Sequence, residues 1–534
     1  MSDRTGQDGS ERWPARRRNA LALIAVGGVL LRLVHLLAPN GAIGFDLDAS
    51  VYYGATGLMV TGYRPYADFA LLHPPGILLI LAPTAWLGEH LMGHAGAFVL
   101  ASALSALAAG GTIVGIGTLA SRWRGSTAGI VAALLYATFL PAVVAEGDIL
   151  LEPFVNVLFV ATALIWLSPT PRPSSRRGTR GRRFGRTLGA GALIAFTSLV
   201  KLTGAVVGIG CLVSGPFRRR WVDRAILCAA IGGVVLLTIA PFAAEAGAGR
   251  FFDQVVLTQI GRPRGGGDPG DLGDPAQRLL SMLGVGPLGL LAVAGPTGPG
   301  SVLALPLLAI ALGVSWWAWS RGGVHGRFWS ATWISSAVLL LAAPSYYSHY
   351  ALPLMVSTAV LLAAATPTIL GVLDRRRGRA AAASFVAVVV LVAPTLAVVL
   401  VGEVVNYPRA DPGAAIRAFV PGDSCVYADP PSLNIAAGRL PPAGTDRPLV
   451  DPFGEPLSIA LRVSRSYPSM QDAQWSAAAQ DRVRRALVAC PYVAFVGPVE
   501  RKRYFSPATR AWFAEHFAAV VEPTVGGVGL WRRR

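Results

Sequence analysis

The chain has 534 residues, 53% hydrophobic and only 14% charged, with a mean hydropathy of +0.51. A soluble domain carries about 25% charged residues, so this composition excludes a soluble enzyme and indicates an integral membrane protein. The net charge of +18 does not indicate nucleic acid, because the basic residues stand in short clusters between apolar runs and read as topology signals.

Met1 to Asn19 is polar and basic, with Arg16, Arg17 and Arg18 directly before a long apolar segment that contains Arg32 and His35. A cleaved signal peptide would be shorter and would end in a small-x-small exit, so this segment reads as a retained anchor with a cytoplasmic N-terminus at 1–19. Apolar runs then recur at membrane-spanning length. Counting them gives about eleven to thirteen spans, and the positive-inside rule selects among the registers. Spans are expected near 20–38, 94–120, 127–145, 153–168, 188–201, 202–215, 225–244, 300–319, 328–345, 350–371 and 380–402. In that register 76–92 and roughly 279–298 do not cross fully. Arg122 and Arg124, the seven arginines between 169 and 186, Arg218–Arg220, Arg321 with Arg327, and Arg375–Arg377 then all face the cytoplasm. The pair at 188–201 and 202–215 is tight for two crossings, and a broken hairpin is the alternative.

The opposite face collects the loop 39–93, the segment EGDILLE at 146–152, the loop at about 245–299, SYYSHY at 345–350 and the tail from Glu403. The segment GRPRGGGDPGDLGDP at 261–275 is irregular, either a lid or a plain linker. The tail 403–534 alternates short apolar runs (SCVYAD, PLVDP, YVAFVG, AAVVEP) with the helical patterns AAQDRVRRALVAC and ATRAWFAEHF, which suggests a small α/β unit. Cys425 and Cys490 could pair if this tail is extracytoplasmic, whereas Cys211 and Cys228 read as packing residues. The expected fold is therefore an α-helical polytopic membrane protein, with a membrane domain at 20–402 and an extracytoplasmic α/β domain at 403–534.

Acids and tyrosines concentrate in the outer loops, where a lipid-borne substrate would meet water. Transfer of a sugar from a lipid phosphate needs a carboxylate to take the proton of the attacking hydroxyl. It also needs positive charge near the leaving phosphate. Asp48, with Asp46 two residues earlier, is the candidate base; both could instead solvate the loop or cap the helix that follows. Tyr52, Tyr53 and Tyr66 could contact a sugar or serve only as interfacial belt residues. Lys201 is the candidate phosphate contact, or else snorkels to the interface. It lies in an apolar stretch, where an ammonium costs roughly 3 kcal/mol at mid-bilayer, and every other basic residue except Lys502 is arginine. Arg262 and Arg264 are alternative phosphate contacts through the guanidinium fork, or else solvated loop charges. His349 and Tyr350 could reach phosphate or sugar from the start of a span. Glu146, Asp148 and Glu152 share the outer surface, and Glu152 also suits a helix N-terminus. No CxxC or HxxxH pair supports a dedicated metal site; a divalent cation is compatible with the acids without being specified by them.

Taken in order, these residues resemble the GT-C superfamily of polyprenyl-phosphate-sugar-dependent glycosyltransferases. The nearest branch is similar to bacterial protein O-mannosyltransferases and aminoarabinose transferases. The resemblance rests on the basic N-terminus, Asp48 with Tyr52 four residues on, GYRPYADF, HPPG with His73, Glu152 opening a span, Lys201 and HYALP, and covers about residues 15–402. It implies a multi-pass plasma-membrane enzyme that inverts by direct displacement from a lipid-phosphate donor onto a protein, glycan or lipid acceptor. It also implies that HPPG starts a juxtamembrane helix. Ala49 stands where the family has a Glu after the Asp. A carrier of lipid-linked sugar and a non-catalytic scaffold are the alternatives; a carrier predicts polar residues spread along the spans.

Overall fold

The computed structural model describes residues 15–37, 43–168, 176–215, 221–263, 275–282, 300–374, 411–442, 449–523 and 527–534. Apolar sequence becomes helix wherever no water is available to satisfy the backbone, and helices cover ten of the eleven expected spans; 380–402 lies outside the described residues. The segments 169–175, 218–220 and 375–377 fall outside them as well, as does most of the non-crossing segment 279–298.

Among the described residues, three helical stretches are long and apolar enough to cross a membrane: Gly76–Arg124, Trp221–Ala246 and His349–Thr368. Ser126–Ala137 and Leu140–Gly147 pass together as one span bent by 60°. Glu152–Trp166 is shorter. The chain at 188–215 is a broken helix rather than two full crossings. Helix Arg176–Val200 ends, Lys201 is extended, one 3-10 turn follows at Leu202–Ala205, and helix Val206–Ser214 has only nine residues. Nine residues rise about 14 Å, about half of a ~30 Å hydrocarbon layer, which corrects the expectation of a full span at 202–215.

The two ends of the membrane domain differ in character. At one end Arg124 lies over the Trp317 ring and Trp123 stacks on His325, so two arginine-bearing helix ends meet. At the other end lie Asp46–Asp48, the start of helix Glu152–Trp166, the break at Lys201, the 345–350 turn and the tail. Between them, Glu146 is not on a surface as expected. It is fully buried against Arg32, which donates to it at 2.9 Å, and Tyr136 donates to its other oxygen at 2.6 Å. A carboxylate without water takes the one cation that the first helix brings into the same interior.

The tail is an α/β unit with a four-stranded sheet in the order β1 (Val426–Asp429), β2 (Tyr492–Val496), β4 (Val528–Arg533), β3 (Phe517–Val521). β1 and β2 are parallel; the other neighbours are antiparallel. Three of the four expected strands are present. The described part of PLVDP, 449–452, is instead irregular, and β4 is a strand that pattern reading missed. Both expected tail helices form, at Ala477–Ala489 and Pro507–His516. Cys425 and Cys490 are joined by a disulfide across β1 and the end of a helix. Cys211 is buried, while Cys228 is exposed and so is not a packing residue.

The tail is seated on the membrane domain. Val450, Ile435 and Ala436 belong to the same apolar core as the helix Leu47–Val60. Gly54 and Gly57 of that helix leave no room for a Cβ against Pro441 and Leu440. Thr258 donates to Ser458 at 3.0 Å across the seam.

Candidate active site

The helix Leu47–Val60 begins at Asp46, whose Oδ1 accepts from the Ala49 backbone N–H at 2.7 Å. The capping alternative is therefore real for Asp46. Asp48, in the first turn, makes no hydrogen bond or ion pair among the described residues and is half-buried. Burial first, and then the Asp46 carboxylate, push Asp48 up to about 7; Asp451 and Glu152 add to this and Lys201 opposes it. Asp46 is raised to about 7 by burial and then by Asp148, against the pull of its backbone hydrogen bonds. Carboxylates crowded in low dielectric resist ionising together.

The break in the helix at Val200 presents Lys201 at the same place. Its Nζ donates to Glu152 Oε1 at 2.5 Å and lies 3.6 Å from the centre of the Tyr350 ring. Glu152 opens its own helix, so the ammonium and the helix N-terminus both favour its charge. His349 sits edge-on to Tyr350 and stacks on Tyr347, within electrostatic reach of Glu152.

The 66–73 loop is held from the other side. Gln254 donates to the Tyr66 carbonyl and accepts from the Leu71 N–H, and Gln259 donates to the Leu72 carbonyl. Tyr66, with a positive φ of 66°, donates its hydroxyl to the His73 carbonyl at 2.7 Å and packs on Phe242 and Phe251. A bulky residue in the left-handed region is unusual, and here three contacts impose it. The result points His73 at Tyr52, with ring nitrogen and hydroxyl 3.1 Å apart. Burial, with Lys201 and Arg262 nearby, holds His73 well below its usual value, so it is neutral.

A cavity of about 420 Å³ opens among these groups. Its walls are largely apolar, including Leu72, Leu202, Ile260 and Leu340, and it carries Lys201, Arg262, His73 and Tyr350. Arg262 has a buried Nε without a hydrogen-bond partner among the described residues. Arg264 and the rest of the 264–274 loop lie outside them.

Of the expected residues, Asp46, Asp48, Tyr52, His73, Glu152, Lys201, Arg262, His349 and Tyr350 come together. Tyr53 does not. It is fully buried on the far side of its helix, against His94 and Phe98. Tyr66 is also fully buried and supports the loop instead of facing the cavity. Residues facing opposite sides of one helix cannot share a site.

One residue that sequence reading missed is Asp451, from the tail. Its Oδ1 accepts from the backbone N–H of Phe453 and Gly454 at 3.1 and 2.6 Å. A Cβ on Gly454 would fall 2.5 Å from Leu72 Cδ1 and 2.1 Å from Asp451 Oδ2, so the carboxyl lies against the cavity wall. Burial raises Asp451, and Arg262 pulls it back. The only local signal is the Asp-Pro-Phe-Gly sequence, whose first two residues end the apolar run PLVDP expected as a strand. Among the described residues, no group of three or more His, Cys, Asp or Glu is arranged to hold a metal ion.

The family model for glycosyltransferase family 87 matches residues 71–344. No curated protein matches the chain. Among solved structures, the chain is similar to ArnT from Cupriavidus metallidurans bound to undecaprenyl phosphate, with 15% identity, 96% of this chain and 98% of that one covered, and a TM-score of 0.59. It is also similar to the oligosaccharyltransferase AglB from Archaeoglobus fulgidus in complex with an inhibitory peptide and a dolichol-phosphate. There the identity is 14%, the coverage 97% and 74%, and the TM-score 0.55. The GT-C resemblance and the polytopic α-helical fold with a small α/β tail, both expected from sequence, are borne out.

Proposed function

This chain belongs to glycosyltransferase family 87, and on that premise we propose that it transfers a sugar from a polyprenyl-phosphate donor to an extracytoplasmic hydroxyl, with inversion. One observation carries the reading: an apolar-walled cavity bearing Lys201 and Arg262, with Asp48 in electrostatic reach of both. An anion with a long apolar chain suits such a space, because the chain avoids water while the phosphate meets two cations. The solved relatives hold undecaprenyl phosphate and dolichol-phosphate, ligands of the same chemistry.

In this mechanism the donor phosphate lies against Lys201 and Arg262, with His349 and Tyr350 as hydrogen-bonding neighbours. Glu152 keeps Lys201 charged and aimed. The acceptor hydroxyl approaches from the side of Asp48, which takes its proton as the new bond forms at the anomeric carbon. The bond from that carbon to the phosphate oxygen breaks in the same displacement, which inverts the centre. The lipid phosphate leaves with its charge stabilised by the two cations. Tyr52 and the neutral His73 lie close enough to orient sugar hydroxyls, and Asp46 and Asp451 set the electrostatics around the base.

The test is a transfer assay in nanodiscs with a polyprenyl-phosphate sugar. Asp48→Asn should abolish transfer with donor binding nearly intact, and full activity in that variant would reject the assigned base. A carrier would move the donor without releasing free polyprenyl phosphate, so measuring that product separates the two classes.

A further inference from the structure

A second cavity, of about 220 Å³, lies at the seam between the membrane domain and the tail. One wall is the segment 253–261, which follows the apolar helix Trp221–Ala246; the other is the tail helix Gly454–Val463 with Arg465 just beyond it. Thr258 and Ser458 both line it and join its two walls by their hydrogen bond. Ile260 lines this cavity and the first one alike.

Its chemistry is that of an amphiphile site. Arg462 and Arg465 line it, and neither has a hydrogen bond or ion pair among the described residues. Asp253 is the one acid in the lining, against those two cations. Leu257 and Leu461 supply apolar wall. Ile260 in the lining is 68% exposed, a poor arrangement in water but a favourable one beside a hydrocarbon chain. Two guanidinium groups beside an apolar trough complement a phosphate carried on a hydrocarbon chain.

We propose that this seam cavity binds an anionic lipid, its phosphate held by Arg462 and Arg465 and its chain lying over Leu257, Ile260 and Leu461. The site is separate from the donor reading and does not depend on it. A bulk phospholipid and a lipid-linked acceptor share this chemistry, and the experiment tells them apart.

The full-length protein in detergent is titrated with short-chain phosphatidylglycerol or phosphatidylcholine, and thermal unfolding is followed. Phosphatidylglycerol should raise the midpoint and phosphatidylcholine should not. Arg462→Gln with Arg465→Gln should lose that increment while binding polyprenyl phosphate within about two-fold of the parent. An equal shift with the zwitterionic lipid, or an undiminished shift in the double variant, overturns the proposal. Mass analysis after turnover then assigns the source: anionic lipid heavier by one sugar identifies an acceptor, and unchanged anionic lipid that still stabilises the protein identifies a bilayer phospholipid.

Discussion

Asp48 and Lys201 reach one site from opposite causes. Asp48 is a carboxylate in the first turn of its helix with no hydrogen-bond or ion-pair partner among the described residues, whereas Lys201 is a buried ammonium paired with Glu152. Because burial, and then the Asp46 carboxylate, push Asp48 up to about 7, a base at Asp48 gives transfer that rises with pH through the neutral range. Asp46→Asn removes a negative neighbour, so the midpoint of that acid limb should fall, and a pH–rate profile in nanodiscs reads it. Asp451→Asn should move the limb the same way by a smaller amount, since Asp46 raises Asp48 more strongly than Asp451 does. Lys201→Met leaves Glu152 as an uncompensated buried charge, a loss of about 3–5 kcal/mol. Adding Glu152→Gln should restore thermal stability but not donor affinity; recovery of both would remove Lys201 from the phosphate site. Lys201 was legible because a lone lysine in an apolar run demands an explanation. Asp451 was not, because what makes it notable is proximity to residues about 400 positions earlier, which no local pattern encodes.

At the scale of elements, the break after Val200 is the decisive feature. Helix Gly76–Leu87 begins against it: a Cβ on Gly76 would lie 2.5 Å from the Leu199 carbonyl oxygen and 2.7 Å from the Val200 nitrogen. Backbone cannot give way cheaply there. Gly76→Ala should therefore cost about 1–3 kcal/mol and also displace Lys201, lowering donor affinity. A variant that loses stability yet binds donor normally would show that the two helix ends are not coupled. The HPPG signature was visible in sequence, but its reason, a glycine pressed onto another helix terminus, was not. The crowding at 188–215 was also visible as too few residues for two crossings. Hydropathy could not say how it resolved, because a 3-10 turn and a short helix are as apolar as one long span.

For the molecule as a whole, the tail contributes to the candidate site. It packs against helix Leu47–Val60 and brings Asp451 within electrostatic reach of Arg262 and Asp48. Its disulfide encloses a loop with a sequence separation of 65, worth about 4 kcal/mol on a chain-entropy estimate. Cys425→Ser with Cys490→Ser should lower the thermal midpoint, and donor affinity should fall with it if the docked tail holds the cavity wall. A disulfide also belongs to an oxidising compartment, in keeping with the proposed extracytoplasmic tail. A cytoplasm-only reporter fused after Arg534 should be silent, and a signal would invert the proposed topology.

Composition, arginine placement and hydropathy determined that this chain is polytopic, and the order of a few polar residues pointed to its superfamily. These are properties of local sequence against a fixed solvent, since a bilayer admits only apolar helix and penalises unpaired charge segment by segment. Which tyrosines face the cavity, that Glu146 pairs with Arg32, that Lys201 sits at a helix break and that the tail lends a carboxylate were decided only by tertiary structure. Each depends on which distant surfaces pack together, and helix phase and domain docking are set by that packing.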